Sequence, residues 1–141
     1  MSPRWAPTLA TKSIAAARRP LVLAGRGAIS AREALVRLAD RIGAPLATTL
    51  KAKNLFKGER YDLGVFGTLS TPEAGDEIAR ADLIIAFGAG LNRFTAARGG
   101  YLAGKRIIQI NDDATRIARL APAELLLAES SPLAARFGAL A

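Results

Sequence analysis

Short apolar runs punctuate the chain at residues 21–24, 45–49, 63–66, 83–87, 106–110 and 124–128. They do not alternate apolar with polar positions, which is the pattern of strands covered on both faces of a parallel sheet. Between the first two runs the period changes. Over residues 30–42, Leu35, Leu38, Ala39 and Ile42 share one helical face while Arg32, Arg37 and Arg41 lie elsewhere. This predicts a packed crossover helix. Strands alternating with helices of this length imply an α/β fold around a parallel sheet.

The punctuation is equally specific. Ser30 with Glu33 three residues later reads as a capping box, and Gly43 as a left-handed stop. Thr71-Pro72-Glu73 opens a second helix, with a cap and then proline at the first helical position, running to about Ala81. A third opens at Ser131-Pro132, and a helix before Arg18 packs on one face of the sheet. Residues 115–121 read as a short helical or irregular turn, and 91–105 take no assignment. The expectation is a single domain over 1–141, with 1–18 as N-terminal linker and helix.

Composition removes whole classes of chemistry. The 141 residues contain no cysteine and no histidine, so disulfides, thiolate sites and Ser-His or His-metal constellations are excluded. No apolar run approaches the roughly 20 residues of a membrane helix, and the N-terminus lacks the apolar core of a signal peptide. A cytoplasmic protein without membrane partners is expected. The net charge of +8, from 20 basic and 12 acidic residues, raises the question of nucleic acid. The arginines are dispersed and do not interleave with aromatics, so a solvated surface is the expectation and no nucleic-acid partner is assigned.

In an open parallel sheet, ligands sit beyond the C-terminal ends of the strands. The loops there bring glycine, hydroxyl and basic groups to one edge. Gly25-Arg26-Gly27-Ala28 has the Gly-x-Gly turn that exposes backbone N–H groups beside a helix start. It lacks the full dinucleotide fingerprint, because Ser30 stands where the third glycine belongs and residues 45–51 hold no acid for a ribose. Gly88-Ala89-Gly90, followed by Asn92 and Arg93, has the same logic. Arg26 and Lys51 suit an anion or a solvated surface equally. Asp112-Asp113 reads first as a turn, then as ribose contact.

Taken in order, "RPLVLAGRGAISAREALVRLADRIGAPLATTL", "LGVFGTLSTPEA", "ARADLIIAFGAGLNRFT" and "KRIIQINDDATRI" resemble the central domain of thiamine diphosphate-dependent enzymes, the acetolactate synthase, benzoylformate decarboxylase and oxalyl-CoA decarboxylase group. The resemblance runs over residues 13–128. It implies a Rossmann-like three-layer αβα fold with a six-stranded parallel sheet. It also implies flanking pyrimidine- and diphosphate-binding domains that hold thiamine diphosphate and Mg2+, a homo-oligomeric parent, and no catalytic residue in this domain. Gly75-Asp76-Glu77 begins like a thiamine diphosphate and magnesium motif but falls within the second predicted helix.

The implied function is that of a non-catalytic central domain in an acetolactate synthase-like 2-oxo acid decarboxylase or carboligase. The alternative is a stand-alone adenine-nucleotide-binding module. Family members carry FAD, an adenine nucleotide such as ADP, or nothing at this domain. By position, such contacts would fall at Gly25, Arg26, Gly27, Thr49, Leu50, Lys51, Gly67, Thr68, Leu69, Ser70, Gly88, Gly90, Asn111, Asp112 and Asp113. The chain departs where FAD-binding members have His-Gly at Leu69-Ser70, arginine at Gly90, and Asp-x-Asp at Asn111 to Asp113. Loss of that arginine removes a cationic partner for a diphosphate, which Arg93 nearby would replace.

Overall fold

Each apolar run lies on a strand, and the strands assemble into one parallel sheet. The computed structural model describes residues 7–65, 71–88, 106–111 and 124–127, with side chains over 12–65, 71–88 and 106–110. The strands are β1 Pro20–Ala24, β2 Leu46–Thr48, β3 Asp62–Val65, β4 Leu83–Phe87, β5 Arg106–Asn111 and β6 Glu124–Leu127. The helices are α1 Pro7–Ala16, α2 Arg32–Ile42 and α3 Pro72–Arg80. The strand order is β3-β2-β1-β4-β5-β6 with every pairing parallel. The α/β class read from periodicity is therefore correct. Among the described residues no helix is long and apolar enough to cross a membrane.

Strand alternation divides the core in two. Val22, Leu46, Ile85 and Ile108 align across four strands and face Ile14 of α1 and Leu35, Leu38 and Ala39 of α2. Leu21, Leu23, Ala47, Ile84, Ala86 and Ile107 face the other way, toward Ile78 of α3. Burying each such Leu or Ile contributes about 1.5–3 kcal/mol. Because both faces of β1 and β4 are covered, both strands are buried at every position, which is why they read as unbroken apolar runs. β3, at the sheet edge, is only half-buried throughout.

The helix ends differ in how well the sequence signals hold. Thr71 adopts the extended N-cap conformation, its hydroxyl accepts from the Ala74 N–H at 3.2 Å, and Pro72 opens α3. Gly43 stops α2 in the left-handed conformation at φ 70°, its N–H donating to the Ala39 carbonyl. The capping box at Ser30 does not form. A 3-10 turn over Arg26–Ala31 precedes α2, whose N-cap is Ala31 without a side-chain cap. That turn tucks the small residues Ala28 and Ala31 into the core, so the chain is already coiled at Ser30 and the extended cap backbone is lost. The Glu33 carboxylate turns to Arg32 instead, at 3.0 Å.

A second 3-10 turn, Leu50–Ala52, follows β2, and turns rather than an α-helix carry the chain from there to β3. The helix expected from Ser131, the segment 115–121 and the unassigned 91–105 lie outside the described residues. Gly75, Asp76 and Glu77 lie within α3 as expected, with Asp76 and Glu77 exposed.

Candidate ligand-binding edge

The order of the sheet reverses between β1 and β4, so their following loops diverge at a switch point, the position where doubly wound sheets take ligands. Gly25, Arg26 and Gly27 follow β1, and Gly88 follows β4. Thr49, Leu50 and Lys51 follow β2, and Asn111 ends β5. All are thus brought to one sheet edge. Gly67, Thr68, Leu69, Ser70, Gly90, Asn92, Arg93, Asp112 and Asp113 lie outside the described residues.

The glycines at the switch point pack against each other. A β-carbon at Gly88 would lie 2.6 Å from both Ala28 N and Gly27 C, and one at Gly27 would lie 3.1 Å from Gly88 Cα. The backbone donors are committed as well. The Gly25 N–H donates to Phe87 O at 2.8 Å, the Gly27 N–H to Gly88 O at 3.1 Å, and the Ala28 N–H to Gly25 O at 3.0 Å. Among the described residues, only the Arg26 amide of this turn stands outside these bonds. The Gly-x-Gly turn therefore closes the floor of the crevice with the chain's own carbonyls. It does not present the open row of amides that a phosphate cradle requires.

Side chains make the rest of the edge. Arg26, Lys51 and Lys53 are exposed, and the two 3-10 turns that carry Arg26 and Lys51 pack on one another. Ile29 is 47% and Leu50 53% exposed, and both stand on these turns. Ile29 was not singled out by sequence reasoning; its position off the apolar face of α2 is the signal that marks it. Thr49 is buried, its N–H donating to Ala24 O at 3.0 Å. Below it, the buried Thr48 hydroxyl has no hydrogen-bond partner among the described residues.

This set, three exposed cations and two exposed aliphatic side chains on neighbouring turns, fits an anionic ligand with an apolar part through its side chains, while the amides of the Gly-x-Gly turn do not form a diphosphate cradle. Among the described residues no group of three or more acidic side chains is placed to hold a metal ion.

A further polar cluster, absent from the sequence reading, stands beside the edge. Arg32, the first residue of α2, donates from Nε to Leu55 O at 2.8 Å and from Nη2 to Glu59 Oε2 at 2.9 Å. Its hydrogen bond to Glu59 raises its pKa above the ordinary value, burial opposes this, and Glu33 adds to it. Nothing in local spacing pairs residues 32 and 59.

Comparison with known proteins places this architecture. Residues 8–135 match the family described as thiamine pyrophosphate enzyme, central domain. The acetolactate synthase of Mycobacterium bovis is 35% identical over 114 residues, 78% of this chain and 18% of that protein. A probable acetolactate synthase large subunit of Methanocaldococcus jannaschii is 33% identical over 120 residues, 82% of this chain and 20% of that protein. A probable 2-ketoarginine decarboxylase of Pseudomonas aeruginosa is 40% identical over 79 residues, 56% of this chain and 14% of that protein. The chain thus spans a fifth or less of the length of these relatives. Carrying that family's ordered segments on a parallel sheet, the chain belongs to the central domains of thiamine pyrophosphate enzymes.

Proposed function

We propose that this domain is the non-catalytic central scaffold of a thiamine diphosphate-dependent enzyme that decarboxylates or ligates a 2-oxo acid. The relatives named as acetolactate synthases and a 2-ketoarginine decarboxylase support the reaction class. Thiamine diphosphate, held with Mg2+ by the flanking domains, supplies the carbanion stabilisation that such chemistry needs. The observation that carries the scaffold role is the contact between Gly27 and Gly88, which closes the floor of the switch-point crevice with backbone. The domain then acts by holding its neighbours in register.

A second reading, an adenine nucleotide such as ADP or FAD bound at the edge, is favoured by the exposed Ile29 and Leu50 beside Arg26 and Lys51. Isothermal titration of the intact protein with ADP, FAD, NAD and coenzyme A decides between them. No saturable heat from any of the four is expected for the scaffold. Saturable binding of ADP or FAD, weakened about tenfold by Lys51→Gln through loss of a charge-assisted contact, would establish the second reading in its place.

A further inference from the structure

The connection from β2 to β3 poses a mechanical problem. The backbone hydrogen bonds in its interior are local, Leu55 N–H to Ala52 O at 3.0 Å, Lys57 N–H to Asn54 O at 3.1 Å and Glu59 N–H to Phe56 O at 2.9 Å, and only at its end does Tyr61 O accept from the Leu46 N–H of β2, at 2.9 Å. The local bonds shape the segment without fixing where it sits on the body of the domain. Asn54, at φ 72°, turns the chain through the left-handed region in the middle of it. Before Tyr61, two kinds of contact among the described residues tie the segment down. Phe56 is fully buried in the core on the α1 and α2 side, with Leu55 packed at its margin. Arg32 reaches across from α2 to residues on either side of Phe56, the carbonyl of Leu55 and the carboxylate of Glu59.

We infer that Arg32 is a positioning residue, a latch that holds the 53–61 segment against the first turn of α2 and thereby sets Leu50 and Lys51 in place on the ligand edge. The guanidinium suits this task because its planar fork offers several donors in fixed directions. Here Nε and Nη2 grip the segment, while Nη1 bonds Glu33 of the same helix at 3.0 Å, so both ends of the latch are held. Arg32 and Glu59 are each 32% exposed, so the pair is less screened than one standing free in solvent. A lysine at this position keeps the charge and loses the fork. Arg32→Lys is therefore expected to behave like Arg32→Gln.

The inference borrows its ligand from the nucleotide reading, and its test separates the two. Hydrogen exchange is followed on the intact protein and on its Arg32→Gln, Arg32→Lys and Glu59→Ala variants, with ADP titration of each. The latch predicts that the amides of residues 53–61 exchange about tenfold faster in both Arg32 variants, and less so in Glu59→Ala, with β1 and β4 amides unchanged. ADP affinity falls about tenfold in parallel, through displaced Lys51. Unchanged exchange over 53–61 overturns the latch. So does faster exchange spread equally through β1 and β4, which marks a general structural role, or an ADP affinity that the variants leave untouched. A wild-type protein that binds no ADP sinks the nucleotide reading alone, and the exchange data then decide the latch.

Discussion

At Gly88 the backbone passes through φ +63° with Gly27 and Ala28 too close for any side chain. Two costs therefore coincide for Gly88→Ala, left-handed backbone and overpacking, and together they destabilise the fold by about 3 kcal/mol. Urea denaturation checks this, with Gly27→Ala as the milder comparison because its nearest neighbour is 3.1 Å away. The loop sequences announce glycine turns but not their use. A Gly-x-Gly turn has the same donors whether a phosphate or a carbonyl accepts them. Here the Gly27 amide meets the Gly88 carbonyl only because the sheet sets β1 beside β4. Arg32 and Glu59 were illegible for the same reason, since their meeting depends on how the segment around Phe56 folds back on α2.

Elements are joined at the opposite edge of the sheet by Asp82. Its carboxylate accepts from the Arg18 N–H at 2.8 Å and the Arg19 N–H at 3.0 Å, while its own N–H donates to Arg19 O at 3.1 Å. The start of β4 is thereby pinned to the residues that lead into β1. Desolvation pushes this carboxyl up, and the amides of Arg18, Arg19 and Asp82 itself, with the charge of Arg18, outweigh it and hold the group below its ordinary value. The stabilisation is complete above the unfolded pKa of about 4 and drains away as pH falls through the lower folded value. Stability of Asp82→Asn is accordingly expected to fall below wild type near neutrality, with the gap closing in acid. Chemical denaturation at stepped pH checks it. Among helix ends, the Thr71-Pro72 start and the Gly43 stop were readable because each acts through bonds within one turn. The Ser30 cap failed because a 3-10 turn, shaped by the core beneath it, coils the chain before α2 begins.

Across the whole molecule, two apolar layers share one sheet. Leu35 lies in the α1 and α2 layer and Ile78 in the α3 layer, both fully buried. Truncating either to alanine removes contacts against the same central strands, so each is expected to cost about 3 kcal/mol. Both should shift a single transition, seen at one midpoint by far-ultraviolet circular dichroism and by near-ultraviolet probes. Separate transitions for the two variants would show that the layers unfold independently. The sequence by itself determined the strand positions to within a residue, the crossover helices, the side of the sheet where loops gather and the family, because each depends on short-range periodicity or on ordered motifs. The tertiary structure alone decided that the Gly25, Gly27, Ala28 and Gly88 amides are spent on the chain's own carbonyls and that Arg32 grips residues 55 and 59. Those outcomes rest on which distant segments become neighbours, and hydrogen-bond donors carry no record of their partner until the sheet has brought it within reach.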